Sequence, residues 1–339
     1  MSTLKEIAKA AGVSVSVASR ALNPQPDKNA RVSEETRLHV EKIAKKMGYR
    51  HNRAAEFLKR GKAPVIGVFL PETPNKLIAE MTFGISEQAE EEGFPLGFRF
   101  GLSIKRYRDF MESTSDSRHC GIISYPYHNL GAEVNGIMEK FLQRGGKSVF
   151  ISDAYTVKDA VTVSIDDLEG GRIAGRHLLQ KNCRSYYFFG SYNASAPKPL
   201  APETALHGYA LTRKRGYEEV IAESGQKVQW ITDPNRAIDK ILHSSATKLP
   251  CGIFCSADMN ALHLYGCLTN TPLVIGRDVY VIGYDDLYLT PYLNPPLTTI
   301  NQPMRELGKV AVTKIIRMIY GKEESSTVIP PRLVVRESA

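Results

Sequence analysis

The chain has 339 residues, of which 42% are hydrophobic and 24% charged, the composition of an ordinary globular protein with two or three domains. No apolar run approaches the roughly 18 residues that a membrane-spanning helix needs, and the first residues have no apolar core like that of a signal peptide. We therefore expect a cytoplasmic protein. The five cysteines have no metal-ligand spacing, and we predict neither a metal nor a cofactor.

The positive charge is concentrated at the N-terminus. The whole chain has a formal net charge of +8. Residues 1–62 contain 14 Lys and Arg against 6 Asp and Glu, whereas residues 63–339 contain 30 of each sign. The first segment thus carries the entire excess. This distribution is typical of a module that binds a polyanion, joined to a neutral domain.

The first 22 residues follow the pattern of a helix-turn-helix. Apolar residues recur at helical spacing at Leu4, Ile7, Ala8 and Ala11. Thr3 and Glu6 match the T-x-x-E capping box, which defines the start of the first helix. Gly12 ends that helix, and Ser14 can cap a second helix that runs to about Leu22. Such pairs place the second helix in the major groove of DNA.

A third helix is predicted to complete a small domain over residues 1–49. The polar, proline-containing segment 23–29 predicts a loop, and Ser33 can cap a helix that runs to about Met47. Its inward positions would be Val40, Ile43, Ala44 and Met47. We interpret these residues as the remaining part of a three-helix core.

Candidate DNA contacts lie at the start of the second helix. Arg20 can donate two hydrogen bonds to guanine, Ser16 can bond to either partner of a base pair, and Val15 can contact a thymine methyl group. The full predicted set in this segment is Thr3, Ser14, Val15, Ser16, Ser19, Arg20 and Asn23. The alternative is a plain helical hairpin with an exposed arginine, which the local excess of positive charge disfavours.

Residues 50–62 predict a short amphipathic helix and linker. A helix of this length is marginal alone in water, so one interpretation is a frayed basic linker. The sharper hypothesis is a hinge helix that folds on DNA and inserts Leu58 into the minor groove. The predicted DNA contacts of this segment are Asn52, Arg53, Ala55, Leu58 and Lys59.

From Val65 onward, short apolar segments alternate with amphipathic ones, which predicts an α/β fold with parallel sheets. Strands are predicted near Val65–Leu70, Phe94–Phe98, Gly121–Tyr125, Ser148–Ile151, Thr162–Ile165, Tyr186–Phe189, Val228–Ile231, Gly252–Cys255 and Val279–Ile282. Helices between them include Asp167–Lys181, Arg213–Ala222 and Arg305–Tyr320. The length of the region 63–339 indicates two lobes.

Polar residues follow several of these predicted strands. Ligands of open parallel sheets bind beyond the carboxyl ends of the strands. The residues at such positions are Glu72, Thr73, Tyr125, Asp153, Asp258 and Asp285. We expect them to converge on one cleft.

Several motifs carry a resemblance to a known family over nearly the whole chain. They are GVSVSVASRALN, VSEETR and GYRHNRAAEFLK near the start, and Gly283–Asp286, Pro295–Pro303 and Leu333–Ser338 downstream. Together they resemble the LacI-type family of transcription regulators, which includes the lactose and purine repressors.

The resemblance implies an architecture and a function. It implies a periplasmic-binding-protein-like core, with an N-lobe of about 63–161 plus 292–321 and a C-lobe of about 162–291 plus 322–339. It also implies a repressor that binds a palindromic operator, with its DNA affinity controlled by a small molecule, a sugar or sugar derivative by family habit. With no leucine heptads after the final strand, we expect a homodimer and no membrane partner.

Three residues match effector-binding positions of the family, namely Asp153, Arg213 and Asp285. An arginine fork suits a carboxylate, a phosphate or paired hydroxyls, and aspartates accept from hydroxyls or base nitrogens. The structural alternatives are a solvated charge for Arg213 and a loop cap for Asp285.

The chain also departs from the family pattern. Asn75–Ile78 lacks the aromatic pair at the start of the first long helix, and Ala257 replaces an asparagine. Tyr125, Tyr127 or Trp230 could supply stacking instead, although core packing is the better interpretation for a lone tryptophan. In the N-terminal module, Val17–Ala18 stands where the family has Thr-Val, and His51 replaces the hinge proline.

Two other functions are possible in principle. A solute-receptor type of ligand-binding module would need a signal sequence and would not need the basic N-terminal module. An enzyme would need a catalytic signature, and the sequence has no glycine-rich phosphate loop, G-x-S-x-G elbow or H-E-x-x-H motif. The sequence therefore predicts a regulator rather than an enzyme.

Overall fold

The computed structural model describes residues 3–22, 32–49, 63–73, 75–116, 119–126, 130, 133–151, 157–190, 208–231, 233, 235, 238 and 249–339. Within these ranges no helix has both the length and the apolar character that crossing a membrane requires.

The N-terminal head, residues 3–49, is the predicted three-helix unit. Its helices are α1 (Leu4–Ala10), α2 (Val15–Ala21) and α3 (Glu34–Lys46). Thr3 forms the predicted capping box with Glu6, and the side chains of Ser14 and Ser33 cap α2 and α3. The buried core consists of Ile7, Ala8, Ala11, Ala18, Ala21, Val40 and Ala44. The predicted helices and their inward faces are confirmed.

Residues 63–339 form the predicted α/β region. Its strands are β1 (Ala63–Leu70), β2 (Leu96–Phe100), β3 (His119–Ser124), β4 (Ser148–Ile151), β5 (Val161–Ile165), β6 (Ser185–Phe189), β7 (Val228–Ile231), β8 (Cys251–Cys255), β9 (Val279–Tyr284), β10 (Thr298–Asn301), β11 (Thr327–Ile329) and β12 (Arg332–Val334). Its helices are α4 (Lys76–Glu91), α5 (Ile104–Asp116), α6 (Glu133–Gln143), α7 (Asp167–Gln180), α8 (Gly208–Glu223), α9 (Asp258–Leu268) and α10 (Met304–Ile319). The nine predicted strands are confirmed to within two residues at each end.

The strands form two six-stranded sheets, one in each lobe. The N-lobe sheet has the order β11-β5-β4-β3-β1-β2, and the C-lobe sheet has the order β12-β10-β9-β8-β6-β7. The pairs are parallel except β10 with β12. Two-lobed parallel architecture, as expected from the alternation of strands and helices, is therefore confirmed.

The chain crosses between the lobes later than the sequence suggested. The expected lobe boundaries fall at residues 161/162, 291/292 and 321/322. Strand β5 pairs in the N-lobe sheet, β10 in the C-lobe sheet and β11 again in the N-lobe sheet. The crossings thus come just after β5, β10 and β11. Strands β5, β10 and β11 each pair within one lobe's sheet before the chain passes to the other lobe. Hydrophobic patterning does not show with which sheet such a strand pairs.

Helices cover both faces of each sheet. In the N-lobe, α4 and α10 pack on one face, and α5 and α6 on the other. In the C-lobe, α7 and α8 cover one face and α9 the other. Helix α8 begins at Gly208, five residues before the predicted start at Arg213, so Arg213 lies within the helix. Its position within α8 is set by packing against α7.

Helices α7 and α8 cross at two glycines that face each other's backbone. A Cβ on Gly171 would lie 2.0 Å from the carbonyl oxygen of Arg213, and a Cβ on Gly216 would lie 2.0 Å from that of Leu168. Any larger residue at either position must push the helices apart. The crossing therefore fixes where the backbone of Arg213 lies.

Gly171→Ala should destabilise the protein by about 1–3 kcal/mol, because the added methyl group overpacks the α7–α8 contact. Thermal unfolding of the full chain measures this as a lowered midpoint. Gly266→Ala is the matched control, since Gly266 also lies in a C-lobe helix but has no atom within 4 Å of the added Cβ. The control should gain roughly 0.5–1 kcal/mol from helix propensity. Equal midpoints for the two variants would contradict the close crossing.

Candidate functional site

Helix α2 presents an exposed polar face at its N-terminal end. The side chain of Val15 is 45% exposed, and Ser16 and Arg20 are exposed beside it. The Nε group of Arg20 donates to the carbonyl of Ser16 at 3.1 Å, so the guanidinium lies back along the helix toward its N-terminus. Among the described residues its terminal nitrogens have no hydrogen-bond partner, so they can reach a base edge. Ser19 is half-buried.

Two other candidate DNA contacts in the head, Thr3 and Ser14, also cap its helices. The Thr3 hydroxyl accepts from the Glu6 amide at 3.3 Å, and the Ser14 hydroxyl accepts from the Val17 amide at 3.2 Å. Each hydroxyl lies at the N-terminus of a helix, where a phosphate is favoured, and that of Ser14 also lies 2.9 Å from the Ser16 hydroxyl. Asn23 and the hinge candidates Asn52, Arg53, Ala55, Leu58 and Lys59 lie outside the described residues.

A cavity of about 220 Å³ lies between the two lobes. Four of the predicted ligand residues line it, namely Thr73, Tyr125, Arg213 and Asp285. The other lining residues are Pro71, Asn75, Leu77, Ile78, Ile151, Ser164, Ile165, Asp167, Tyr209, Ala257, Gln302, Met304 and Leu307. The carboxyl ends of strands from both sheets thus meet at one site, as the topology of parallel sheets requires. Asp153 lies outside the described residues.

Arg213 is held by a buried ion pair. Its Nε donates to Oδ1 of Asp167 at 2.7 Å, and its Nη1 donates to the carbonyl oxygen of Ser256 at 2.7 Å. The hydroxyl of Tyr284 donates to the same Oδ1 at 2.9 Å, and the guanidinium carbon lies 3.6 Å from the centre of the Tyr284 ring. Arg213 is only 4% exposed. Its direction is therefore fixed before any ligand binds.

The electrostatics of Arg213 follow from this pairing. Burial alone would lower the pKa of the guanidinium, but the negative charges of Asp167 and Asp285, together with Tyr284, outweigh it and raise the pKa. The arginine is permanently charged, and Asp167 neutralises most of that charge. Among the described residues, Nη2 has no hydrogen-bond partner, so one arm of the fork remains for a ligand.

Asp285 enters the cavity from a strained backbone. Its φ is 116° and that of Asp286 is 50°, both in the region that favours glycine. Oδ1 of Asp285 accepts from Nε2 of Gln302 at 2.7 Å. Burial raises the pKa of Asp285 to about 6, an effect that Arg213 and Gln302 oppose and Asp167 reinforces. Such strain is retained where the surrounding structure enforces it, and functional sites are where it concentrates.

Two predicted ligand residues do not reach the cavity. Glu72 lies between Pro71 and Thr73, which both line the site, but it is exposed and pairs with Arg106 at 2.5 Å. Alternate residues of an extended segment point to opposite sides, which explains its direction.

Asp258 is fully buried beneath the site rather than in it. Its carboxylate accepts from the Thr299 hydroxyl at 2.6 Å and from the Leu287 amide at 2.8 Å. Burial, reinforced by the charge of Asp285, raises its pKa to about 8 in spite of these bonds. Asp258 therefore positions the segment that follows β9.

Two further residues that line the cavity also follow the carboxyl ends of strands, but the sequence analysis did not predict them. Asp167 follows β5 by two residues, and Gln302 directly follows β10. Asp167 was counted only as the first residue of a helix, and β10 was not predicted as a strand. At the start of α4, where the family has an aromatic pair, Asn75 caps the helix by accepting from the Ile78 amide at 3.0 Å. The aliphatic side chains of Leu77 and Ile78 line the cavity there instead. Trp230 packs against the C-lobe core.

Beside the cavity, the lobes are joined by a polar contact centred on Asp286. Lys76, at the start of α4, donates to the carbonyl oxygen of Asp286, and its Nζ lies 3.5 Å from the carboxylate of the same residue. The hydroxyl of Tyr288 donates to Glu80 at 3.2 Å, and Arg336 pairs with Asp286 at 2.8 Å. Burial alone would raise the pKa of Asp286, but Arg336 and Lys76 lower it. The residue next to Asp285 thus ties the lobes together.

Comparison with protein families gives two matches along the chain. Residues 3–52 match the model of the bacterial regulatory proteins of the lacI family, and residues 176–339 match a periplasmic binding protein-like domain. The chain therefore carries a lacI-family head followed by a periplasmic-binding-protein-like domain. The two matches fall on the head and on the cavity-bearing region, in the order that the sequence motifs predict.

Curated relatives align with this chain along its full length. The HTH-type transcriptional repressor PurR of Aliivibrio fischeri (strain MJ11) is 26% identical over 353 residues, which cover 100% of this chain and 98% of the relative. The HTH-type transcriptional regulator RegA of Clostridium saccharobutylicum is 26% identical, covering 99% of this chain and 98% of the relative.

Solved structures share the fold. A complex of the transcriptional regulator CelR with cellobiose has a TM-score of 0.66 at 21% identity and covers 100% of both chains. The lac repressor dimer bound to operator and the anti-inducer ONPF has a TM-score of 0.66 at 21% identity, with 99% of this chain and 98% of that chain covered. The match over the whole length confirms the LacI-type fold of this chain.

Asp285→Asn should change stability in a pH-dependent way. Because the folded chain binds the Asp285 proton more tightly than the unfolded chain does, the wild type loses stability as pH rises from about 4 to about 6. Asparagine removes that loss. We expect the variant to gain about 1–3 kcal/mol relative to the wild type between pH 4 and pH 8, measured by urea unfolding. If the stability difference between the variant and the wild type does not depend on pH, the pKa of Asp285 is not raised in the folded chain.

Lys76→Met should weaken the contact between the lobes while keeping the length of the side chain. If that contact contributes about 1 kcal/mol, the ratio of the joined to the separated arrangement falls roughly fivefold. Small-angle scattering of the full chain should then give a larger radius of gyration. Lys105→Met is the control, because Lys105 is 82% exposed and pairs only within its own helix. Identical scattering of the two variants would argue against the contact.

Proposed function

We propose that the chain is a transcriptional repressor that binds a palindromic operator as a homodimer, and that a small molecule in the interlobe cavity controls its affinity for the operator. The protein would act in the cytoplasm and without catalysis. The observation that carries the proposal is the combination, in one chain, of an exposed recognition face on α2 and a preorganised polar cavity between two lobes.

The head supports the DNA part of this proposal. Its second helix carries Val15, Ser16 and Arg20 on the exposed face near the N-terminal end, which is the end that meets base edges in a helix-turn-helix. The net charge of +8 in residues 1–62 supplies the attraction to phosphates. The relatives with the same two parts are named as repressors and regulators.

The cavity supports the regulatory part. Arg213 and Asp285 are directed into it by the contacts with Asp167, Ser256 and Gln302. A ligand shifts an equilibrium between arrangements only if it binds one of them better. Since residues of both lobes line the cavity, a ligand that touches both favours the joined arrangement. The proposal also keeps Asn52, Arg53, Ala55, Leu58 and Lys59 as DNA contacts and Asp153 as an effector contact.

Operator binding by the full chain tests the proposal. An operator is selected from random duplex DNA, and Arg20→Ala is then compared with the wild type on it. The variant should lose about 1–3 kcal/mol on the best operator and tolerate substitutions at one base pair, because a bidentate contact to guanine is removed.

Arg37→Ala is the matched control for charge. Arg37 lies on α3 and is already paired with Glu34 and Glu41, so its removal should lower affinity little and equally for all sequences. If Arg20→Ala weakens binding equally on every sequence, Arg20 is a phosphate contact. If the wild type selects no sequence at all, the proposed function is wrong.

A further inference from the structure

The two walls of the interlobe cavity differ in chemistry. The C-lobe side and the crossing after β10 contribute the polar groups Asp167, Arg213, Asp285 and Gln302. The N-lobe wall is mostly apolar: it consists of Pro71, Leu77, Ile78, Tyr125, Ile151, Ile165, Met304 and Leu307, together with the polar residues Thr73, Asn75 and Ser164. The amide oxygen of Asn75 is committed to the cap of α4. A ligand that fills the cavity therefore meets hydrogen-bonding groups at one end and hydrocarbon at the other.

The charge of the polar end is negative. Among the described lining residues, Asp167 and Asp285 carry two carboxylates against the single guanidinium of Arg213. Arg213 is already paired with Asp167 at 2.7 Å, and its second arm is bound to the Ser256 carbonyl. A ligand carboxylate or phosphate would face two like charges and a cation that has a partner, which disfavours anion binding.

The free polar atoms suit hydroxyl groups. Oδ1 of Asp167 and Oδ1 of Asp285 are occupied, and the second carboxylate oxygen of each has no hydrogen-bond partner among the described residues. These oxygens accept and Nη2 of Arg213 donates. The side-chain oxygen Oε1 of Gln302, which has no hydrogen-bond partner among the described residues, also accepts. A ring that carries adjacent hydroxyls can both donate and accept at these points. The volume of about 220 Å³ is below the range for drug-sized ligands, so the ligand is small.

We propose that the cavity takes an uncharged, hydroxyl-bearing molecule of monosaccharide size with an aliphatic end, of which a 6-deoxyhexose is the simplest representative. Its hydroxyls contact Asp285, Asp167 and Arg213, and its methyl group packs against Leu77, Ile78 and Leu307. This ligand proposal rests on the proposed function in one respect, namely that the interlobe cavity is the regulatory site.

Calorimetric titration of the full chain with matched hexoses tests the proposal. Each set consists of a hexose, its 6-deoxy form, its uronate and its 6-phosphate, in the galacto, gluco and manno series and in both enantiomers where they exist. In one series the 6-deoxy sugar should bind about tenfold tighter than the parent, because the parent must bury a hydroxyl against hydrocarbon. The uronate and the phosphate of that series should give no binding heat.

Three results would overturn the proposal. They are tighter binding of a uronate or phosphate, a parent hexose that binds as tightly as its 6-deoxy form, and no binding heat from any 6-deoxy sugar. Selection of an operator by the same preparation separates these results from a failure of the proposed function. If operator binding persists, only the ligand class is wrong.

Two variants test the two ends of the cavity separately. Leu77→Gln, at the aliphatic wall, should reverse the preference for the 6-deoxy sugar over its parent. Leu211→Gln changes a leucine that is 42% exposed on α8 and does not line the cavity, and it should leave the preference unchanged. An unchanged preference in Leu77→Gln would place the methyl group elsewhere and contradict the proposal.

Asp167→Asn tests the charge argument. Asparagine keeps an acceptor for Arg213 and Tyr284 but leaves the guanidinium uncompensated. The 1-phosphate of the 6-deoxy sugar, which carries its charge at the polar end, should therefore bind with measurable heat to the variant and not to the wild type. Circular dichroism and the melting midpoint establish that the variant is folded. A folded variant that still rejects the 1-phosphate would show that charge is not what excludes anions from the polar end.

Discussion

The geometry of the interlobe cavity depends on the buried ion pair between Arg213 and Asp167. Asp167 follows directly on the first crossing from the N-lobe, and Arg213 lies in a C-lobe helix 2.7 Å from it. Removing one partner of such a pair leaves an uncompensated buried charge, at a cost of about 3–5 kcal/mol. Tyr284 bonds to the same carboxylate oxygen and lies against the guanidinium. One electrostatic contact thus holds α7, α8 and the end of β9 in register around the site.

Next to that pair, two consecutive aspartates perform different tasks. Asp285 projects into the cavity, whereas Asp286 is bound by Lys76 from the other lobe and by Arg336. Their unusual backbone angles allow neighbouring side chains to face different partners. Because the two residues are adjacent, we expect a ligand that displaces Asp285 to act on the contact between the lobes.

The sequence predicted most of the fold and four of the residues that line the interlobe cavity, and the reasons differ. The head helices have local signals, namely the caps at Thr3, Ser14 and Ser33, and they were found at the expected residues. The predicted strands are short apolar runs, which are also local. Strands β10, β11 and β12 have only three or four residues each, and their membership of a sheet is set by partners far away in the chain.

The site shows the same division between local and distant causes. The position of Arg213 and Asp285 near a cleft followed from motifs and strand ends. That Arg213 has a buried partner could not be read from the sequence, since Asp167 is 46 residues away. The direction of a side chain at a strand end was equally hidden, so Glu72 and Asp258 were placed in the cavity although one faces solvent and the other is buried below it. The sequence therefore predicted features with local causes, but not contacts between distant residues or the directions of side chains at strand ends.

The glycine contact between α7 and α8 has a consequence for motion. Helices that touch backbone to backbone leave no layer of adaptable side chains between them, so the C-lobe cannot deform gradually at that point. Three connections join this lobe to the N-lobe, after β5, β10 and β11. We expect a bound ligand to change the arrangement of the lobes at these connections rather than at the α7–α8 crossing.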